Sequence, residues 1–410
     1  MGNQKKSQVA QSMKWIALTG LSAVSLSAAA QSAVELFGAI DVGVISESNT
    51  SNPALGYIPN PSEKGHLTEM KDGGTALSYW GVRGSEDLGD GLKANFALQG
   101  NFNSANGTNG GPNSAGSTSM FNQQANVGLS GEFGAVKAGR VISPIFSAFA
   151  STDVREGAYF GSGLTALVGM NSATGSFSGA NSNASIGALY NDNAIVYSSP
   201  VMGGLVASLE ITMGGVAGNS SALRQTAATL VYSNENWKFD ALIYNGNDNG
   251  VRASVNPTGT NTNQLIQVGG LYTDGAFSVA GAYFRGTNPS SSGAGQNPAV
   301  LGGALTSGTL DMISLGLGYK LSPALRLTSG YYNLKDQENS GNHATMTVLG
   351  ADYSLSVRTK LYLNMASVNN VGSNMNMAPE YGVPVTAGGK GALSQGVTTN
   401  AFIVGIRHKF

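Results

Sequence analysis

The chain of 410 residues has no cysteine, so disulfide-stapled folds and thiolate metal sites are excluded. Charge is also scarce: Asp, Glu, Lys and Arg together make 11% of the residues, where about 25% is usual for a soluble domain. There are three histidines, His66, His343 and His408. The first two read as loop residues and the third as a strand residue, so no Ser/His/acid set can be assembled and an outer-surface hydrolase is disfavoured. Beyond residue 30 no apolar run approaches the roughly 20 residues of a spanning helix. No phosphate-binding glycine loop of the G-x-x-x-x-G-K-[ST] kind occurs.

What is present begins at the N-terminus. Lys5, Lys6 and Lys14 precede an apolar stretch from Trp15 to Leu26, and Ser27-Ala28-Ala29-Ala30 follows. That order reads as a secretory signal peptide over 1–30, cleaved after Ala30. Without it the balance is 19 basic against 23 acidic residues, which argues against nucleic acid as a partner. No composition or spacing points to a cofactor or a metal. The 58 glycines and 41% hydrophobic residues leave two fold classes open. One is a β-barrel in an outer membrane, where polar and apolar residues alternate. The other is a Gly/Ser/Asn-rich surface adhesin.

Alternation decides in favour of the barrel. Val34, Leu36, Gly38, Ile40, Val42 and Val44 share one face of a strand, with Glu35, Phe37, Ala39, Asp41 and Gly43 on the other. The same period recurs near 77–88, 92–101, 122–130, 135–142, 193–199, 205–214, 225–233, 237–246, 264–273, 276–285, 309–320, 324–335, 344–353, 357–368 and 398–410. With 33–45 this predicts sixteen strands. Tight turns rich in Gly, Asn, Asp and Pro alternate with long gaps at 46–76, 102–121, 143–192, 247–263, 286–308 and 369–397. The expectation is an all-β protein: a 16-stranded antiparallel transmembrane barrel over 31–410, with short periplasmic turns and long extracellular loops. Sixteen strands leave an aqueous channel, whereas about eight are filled by side chains.

Several segments resemble the general porins of proteobacteria: Val34 to Gly43 (VELFGAIDVG), Trp80 to Gly91 (WGVRGSEDLGDG), Phe133 to Arg140 (FGAVKAGR), Ala351 to Lys360 (ADYSLSVRTK) and Val404 to Phe410 (VGIRHKF). The resemblance implies an outer-membrane channel for passive diffusion of ions and small hydrophilic solutes, a homotrimer set in lipid and lipopolysaccharide. A porin with a preferred solute, or an adhesin or structural barrel, stays open as an alternative. It also implies that the last strand, with Ile406, His408 and the terminal Phe410, is the end read by the barrel-assembly machinery. The loop 143–192 is implied to fold inward as the constriction.

Strand parity puts Arg83, Lys93, Lys137, Arg358 and Lys360 on the lumen side, because a charge at mid-membrane on the lipid face costs about 2–4 kcal/mol. Strict parity puts Arg140 outside, whereas the resemblance implies a lumen position; a bulge at Gly139 would reconcile them. Asp153 and Glu156, with Arg155 between them, are the expected pore-facing loop charges. They would oppose a basic wall of Arg83, Lys93 and Arg140.

Overall fold

In hydrocarbon every backbone N–H and C=O must find a protein partner, so strands cross a membrane only as a closed barrel. The computed structural model is such a barrel. It describes residues 33–49, 65–110, 119–168, 189–222, 224–247, 263–287, 309–372, 377–380 and 398–410, so the segment 1–30 expected to be cleaved lies outside the described residues.

The first half of the chain gives β1 (Ala33–Ser48), β2 (His66–Asp72), β3 (Ser78–Gly89), β4 (Leu92–Phe102), β5 (Gln124–Gly131) and β6 (Gly134–Ile142). Two short helices follow, α1 (Pro144–Thr152) and α2 (Gly163–Val168). Next come β7 (Tyr190–Ser198), β8 (Leu205–Thr212), β9 (Gln225–Ser233), β10 (Trp237–Gly246) and β11 (Asn263–Asp274). The last six are β12 (Phe277–Thr287), β13 (Thr309–Lys320), β14 (Leu325–Asp336), β15 (His343–Ser354), β16 (Thr359–Val371) and β17 (Thr398–Lys409). Each pairs antiparallel with its neighbour in sequence from β3 onward, and β1 closes on β17 with Ala39 opposite Lys409 and Glu47 opposite Ala401.

Seventeen strand segments make sixteen staves. β1 pairs in its first half with β3 (Ala33 to Ala39) and in its second half with β2 (Val42 to Ser48), so β2 and β3 are one stave broken at residues 73–77. The expected loop 46–76 therefore hides a strand. His66-Leu67-Thr68-Glu69-Met70-Lys71-Asp72 carries charge on both sides of its alternation, and this obscured its period. His66 opens β2 and His343 opens β15, so neither is a loop residue as the sequence suggested.

Lipid-facing positions are apolar and bare: Leu36, Ile40 and Val44 on β1, Leu361, Leu363 and Met365 on β16, Phe402, Val404 and Ile406 on β17. Phe410 lies on the same outer surface. Its main chain exchanges hydrogen bonds with Gly38 at 3.0 and 3.1 Å, and its ring lies over that glycine, where a Cβ would clash. His408 is exposed beside it and hydrogen-bonds Thr359 Oγ1 through Nδ1 at 2.8 Å.

The inner face changes character along the barrel axis. Toward the turns it carries Lys238, Ser278, Arg326, Asp352 and Lys360; toward the loops it carries Leu242, Leu265, Phe284, Met312, Leu334 and Val348, all buried. The helical loop after β6 covers this apolar half. Ile145, Phe149, Leu164 and Leu167 join those wall residues in one hydrophobic cluster. The loop folds inward because the wall beneath it is apolar there, and each fully buried Leu, Ile or Phe contributes about 1.5–3 kcal/mol.

The main-chain seal between Phe410 and Gly38 makes a direct prediction. Deleting Phe410, or replacing it with Asp, should abolish accumulation of the folded, heat-modifiable barrel in outer-membrane fractions. Normal surface levels of the deleted chain would contradict it.

Candidate functional site

The lumen and the loop that enters it form the site. Helix α1 starts at Ser143, whose hydroxyl caps the Ile145 amide and also donates 2.9 Å to the buried Glu210 carboxylate on β8. At the other end Thr152 Oγ1 hydrogen-bonds Asp240 on β10. The helix is thus stapled to the wall at both ends.

Past α1 the chain turns at the barrel centre, and Asp153 organises that turn. Its carboxylate accepts from the amides of Arg155 (2.9 Å), Gly157 (3.2 Å) and Gly163 (2.9 Å). These backbone bonds leave Asp153 little capacity as a pore-facing acid, which corrects the expected role. Arg155 crosses to the far wall. Nη1 donates to Thr328 Oγ1 at 2.6 Å, Nη2 to Asn364 Oδ1 at 2.9 Å and to the Phe160 carbonyl at 3.0 Å, and Nε to the Gly161 carbonyl. Gly350 makes room for the guanidinium; a Cβ there would clash with Arg155 Nη1. Burial pushes the Arg155 pKa down from its ordinary value, yet four hydrogen bonds hold the cation. Arg155 is therefore a peg rather than an open channel charge, 8% exposed. Glu156 does project into water. Its side chain is 72% exposed and meets Arg326 Nη1 at 2.7 Å, with Arg326 Nη2 on the Val154 carbonyl.

A second segment bears on the loop from above. Met377 to Glu380, between β16 and β17, is buried; Gly161 N donates to the Pro379 carbonyl at 2.7 Å, and Glu380 pairs with Lys71 at 2.6 Å. Burial pushes the Glu380 carboxyl up from its ordinary value, opposed by the nearby ammonium.

The expected wall charges are distributed otherwise than the sequence suggested. Arg83 and Lys137 line a cavity of about 730 Å³ over β1 and β3 to β6, among the amides of Asn95, Gln99, Gln124 and Asn126. Arg83 is not opposed by the loop: it pairs with Glu35 at 2.8 Å and lies over the Phe37 ring. Lys93 sits on the same inner parity of β4, opposite Asp87 beside the turn at Asp90-Gly91. At Arg140 the register shifts between Gly139 and Val141, with Gly139 at φ +126°, a conformation that glycine alone adopts without strain. The irregularity does not open Arg140 to the channel. The side chain is 7% exposed, donates to the Asn122 carbonyl, pairs with Asp192 and stacks near Tyr190. A basic wall of Arg83, Lys93 and Arg140 facing Asp153 and Glu156 is therefore not what the fold builds.

The cations that meet the loop tip lie on β14 to β17. Arg326, Lys360 and Arg407 stand on three of those strands, with Arg358 in the turn before β16 rather than in the strand as expected, and Lys409 at the end of β17. Arg326, Arg407 and Lys409 were not singled out from the sequence. The signal was there: Arg326 sits between Leu325 and Leu327, and Arg407 between Ile406 and His408, both on the inward parity of alternating strands.

A sixteen-stave barrel with a helical loop packed inside and charged cavities beside it is the architecture of an outer-membrane diffusion channel. The family model for Gram-negative porins matches residues 17–373, and the chain belongs to that family. Among curated relatives, outer membrane porin protein 32 of Delftia acidovorans is 29% identical, covering 96% of this chain and 99% of its own, and an outer membrane porin protein of Bordetella pertussis is 27% identical over 93% and 96%. Among solved structures, an anion-selective porin from Comamonas acidovorans superposes with a TM-score of 0.67 at 22% identity, over 93% of this chain and all of that one. The trimer form of OmpT from Vibrio cholerae gives 0.58 at 14%, over 92% and 99%. The protein is an outer-membrane porin, a water-filled channel for passive diffusion of ions and small hydrophilic solutes.

The peg makes the loop testable by itself. Arg155→Ala should cost about 3 kcal/mol or more of loop anchoring, since hydrogen bonds of a charged group contribute about 1.5–3 kcal/mol each. The expected readout is noisier open-channel current and faster protease cleavage within 143–168. A variant as quiet and as resistant as the parent would show that the peg does not hold the loop.

Proposed function

We propose that the loop from Ser143 onward is the constriction of this porin, and that the channel favours anions. The observation that carries the reading is the loop's path. It leaves β6, is stapled to β8 and β10 through Ser143 and Thr152, and is pinned to β14 and β16 by Arg155 before α2 begins. Solute must pass beside it. The passage runs along the amide-rich wall where Arg83 and Lys137 project, and past the tip where Glu156 meets Arg326. Cations outnumber acids on these surfaces, and field lines concentrate in a narrow low-dielectric channel. The relative described as an anion-selective porin supports the same sign.

The working unit is a homotrimer, a reading supported by the trimeric neighbour. The apolar belt faces lipid and lipopolysaccharide, and the β17 end at Ile406, His408 and Phe410 is the feature for the assembly machinery to read.

Two outcomes are expected in planar bilayers. Deleting 146–166 with a short Gly/Ser join should raise single-channel conductance; an unchanged conductance from a folded variant would place the constriction elsewhere. Replacing Arg83 and Lys137 with Gln together should move the reversal potential toward cations, most at low salt, where the Debye length is long. The parent value retained at low salt would remove those two residues from the conduction path.

A further inference from the structure

We propose that the chamber between the loop tip and the periplasmic ends of β14 to β17 is a binding site for small polyvalent oxyanions, and that Glu156 is its built-in competitor. The inference rests on the channel reading and names a site within it.

The chamber has a volume of about 300 Å³, at the lower end of small-molecule pockets, about 300–1,000 Å³. Six cations line it: Arg155, Arg326, Arg358, Lys360, Arg407 and Lys409. Two carboxylates line it with them, Glu156 and Asp352, and Asp41 stands behind Arg407, so three positive charges are left unbalanced.

The cations divide by availability. Arg155 and Arg407 are buried and saturated, the second by Asp41 at 3.0 Å and the Ala76 carbonyl at 2.9 Å. Lys360 reaches Asp352 at 3.2 Å with both side chains partly exposed. Arg358 and Lys409 have no carboxylate partner among the described residues, and a main-chain bond from Lys409 N to the Arg358 carbonyl at 2.9 Å holds the two side by side. Hydroxyls of Ser354 and Ser356 complete the rim. A planar guanidinium beside ammonium groups and hydroxyls suits phosphoryl and carboxylate oxygens alike.

Glu156 makes the site more than a charged patch. It is a non-glycine residue at φ +58°, a strained backbone conformation, and it reaches Arg326 with a side chain that is 72% exposed. The loop thus delivers one tethered carboxylate to one edge of the basic chamber. An arriving polyanion displaces it from Arg326 and gains the cations beyond. A monovalent anion gains too little to displace a tethered group, so the chamber discriminates by valence and releases its occupant when Glu156 returns. That return keeps the site a way station rather than a trap, since conduction needs binding weak enough to leave.

The test is block of chloride current by inorganic pyrophosphate, tricarballylate or acetate, added to either side of a bilayer holding the full-length protein. Each variant is normalised to its own unblocked current. The expected result is block by pyrophosphate and tricarballylate, stronger from the turn side, with acetate inert at the same concentration. Arg358→Gln with Lys409→Gln should raise the half-blocking concentration at least ten-fold, and Glu156→Gln should lower it several-fold. Arg285→Gln, at the loop end of β12 where Arg285 pairs with Asp311, should leave it unchanged. Block by only one polyanion would narrow the class to phosphoryl or carboxylate and still support the site. Equal block by acetate, or block unmoved by the double replacement, or weakened by Glu156→Gln, overturns the proposal while the chloride current upholds the channel. Absence of any chloride current would overturn the channel reading and the site with it.

Discussion

Everything in this molecule depends on one seam. A strand edge exposed to hydrocarbon would leave a row of unsatisfied amides and carbonyls, each costing several kcal/mol, so β1 must find β17. It does so over nine residue pairs from Ala39 to Glu47, and a buried polar hub on the inside reinforces the outer seal at Phe410. Asp41 accepts from Arg407 at 3.0 Å, from Tyr362 Oη at 2.7 Å and from the amides of Thr75 and Ala76 at 3.0 and 3.2 Å. One carboxylate therefore joins the first strand, the last two, and the break between β2 and β3. Removing one member of a buried ion pair costs about 3–5 kcal/mol, because its partner stays buried and uncompensated.

The seam bears on function as well as on stability. Arg407 is turned toward the chamber at the loop tip but fully engaged by Asp41, so it shapes the wall's charge without offering a hand to a solute. The same economy holds across the lumen. Arg155 and Arg140, conspicuous in the sequence, are consumed in holding the fold, whereas Arg326, Arg358 and Lys409 face water. A charge inside a barrel is not thereby a channel charge; what decides is whether its hydrogen-bonding capacity is already met by the wall.

Much of this was legible in the sequence. Alternation in stretches such as Val34 to Val44 and Phe402 to Phe410 located fifteen staves and the longer part of the sixteenth, because a lipid-facing side chain leaves a period of two whatever lies within. The part at β2 escaped, since Glu69, Lys71 and Asp72 obscured it. The partners of the loop escaped for another reason: Glu156 meets Arg326 across 170 residues, and nothing local encodes that distance. A partial signal did exist. On β10 and β13 the loop side carries apolar residues on both faces, as in Leu242-Ile243-Tyr244 and Met312-Ile313. A barrel stave with no polar face at one end requires something apolar inside the barrel, and the long segment after β6, joined by Met377, supplies it.

The proposed waterway runs along β1 and β3 to β6 and past the loop tip, beside an inner wall that packed side chains cover on the loop side. The most direct measurement is the single-channel current of the purified protein in planar bilayers across a wide range of KCl concentration. Discrete steps whose conductance scales with bulk conductivity at high salt, with chloride more permeant than potassium, are the expected result. Absence of steps from protein that has folded, or a preference for potassium, would contradict it.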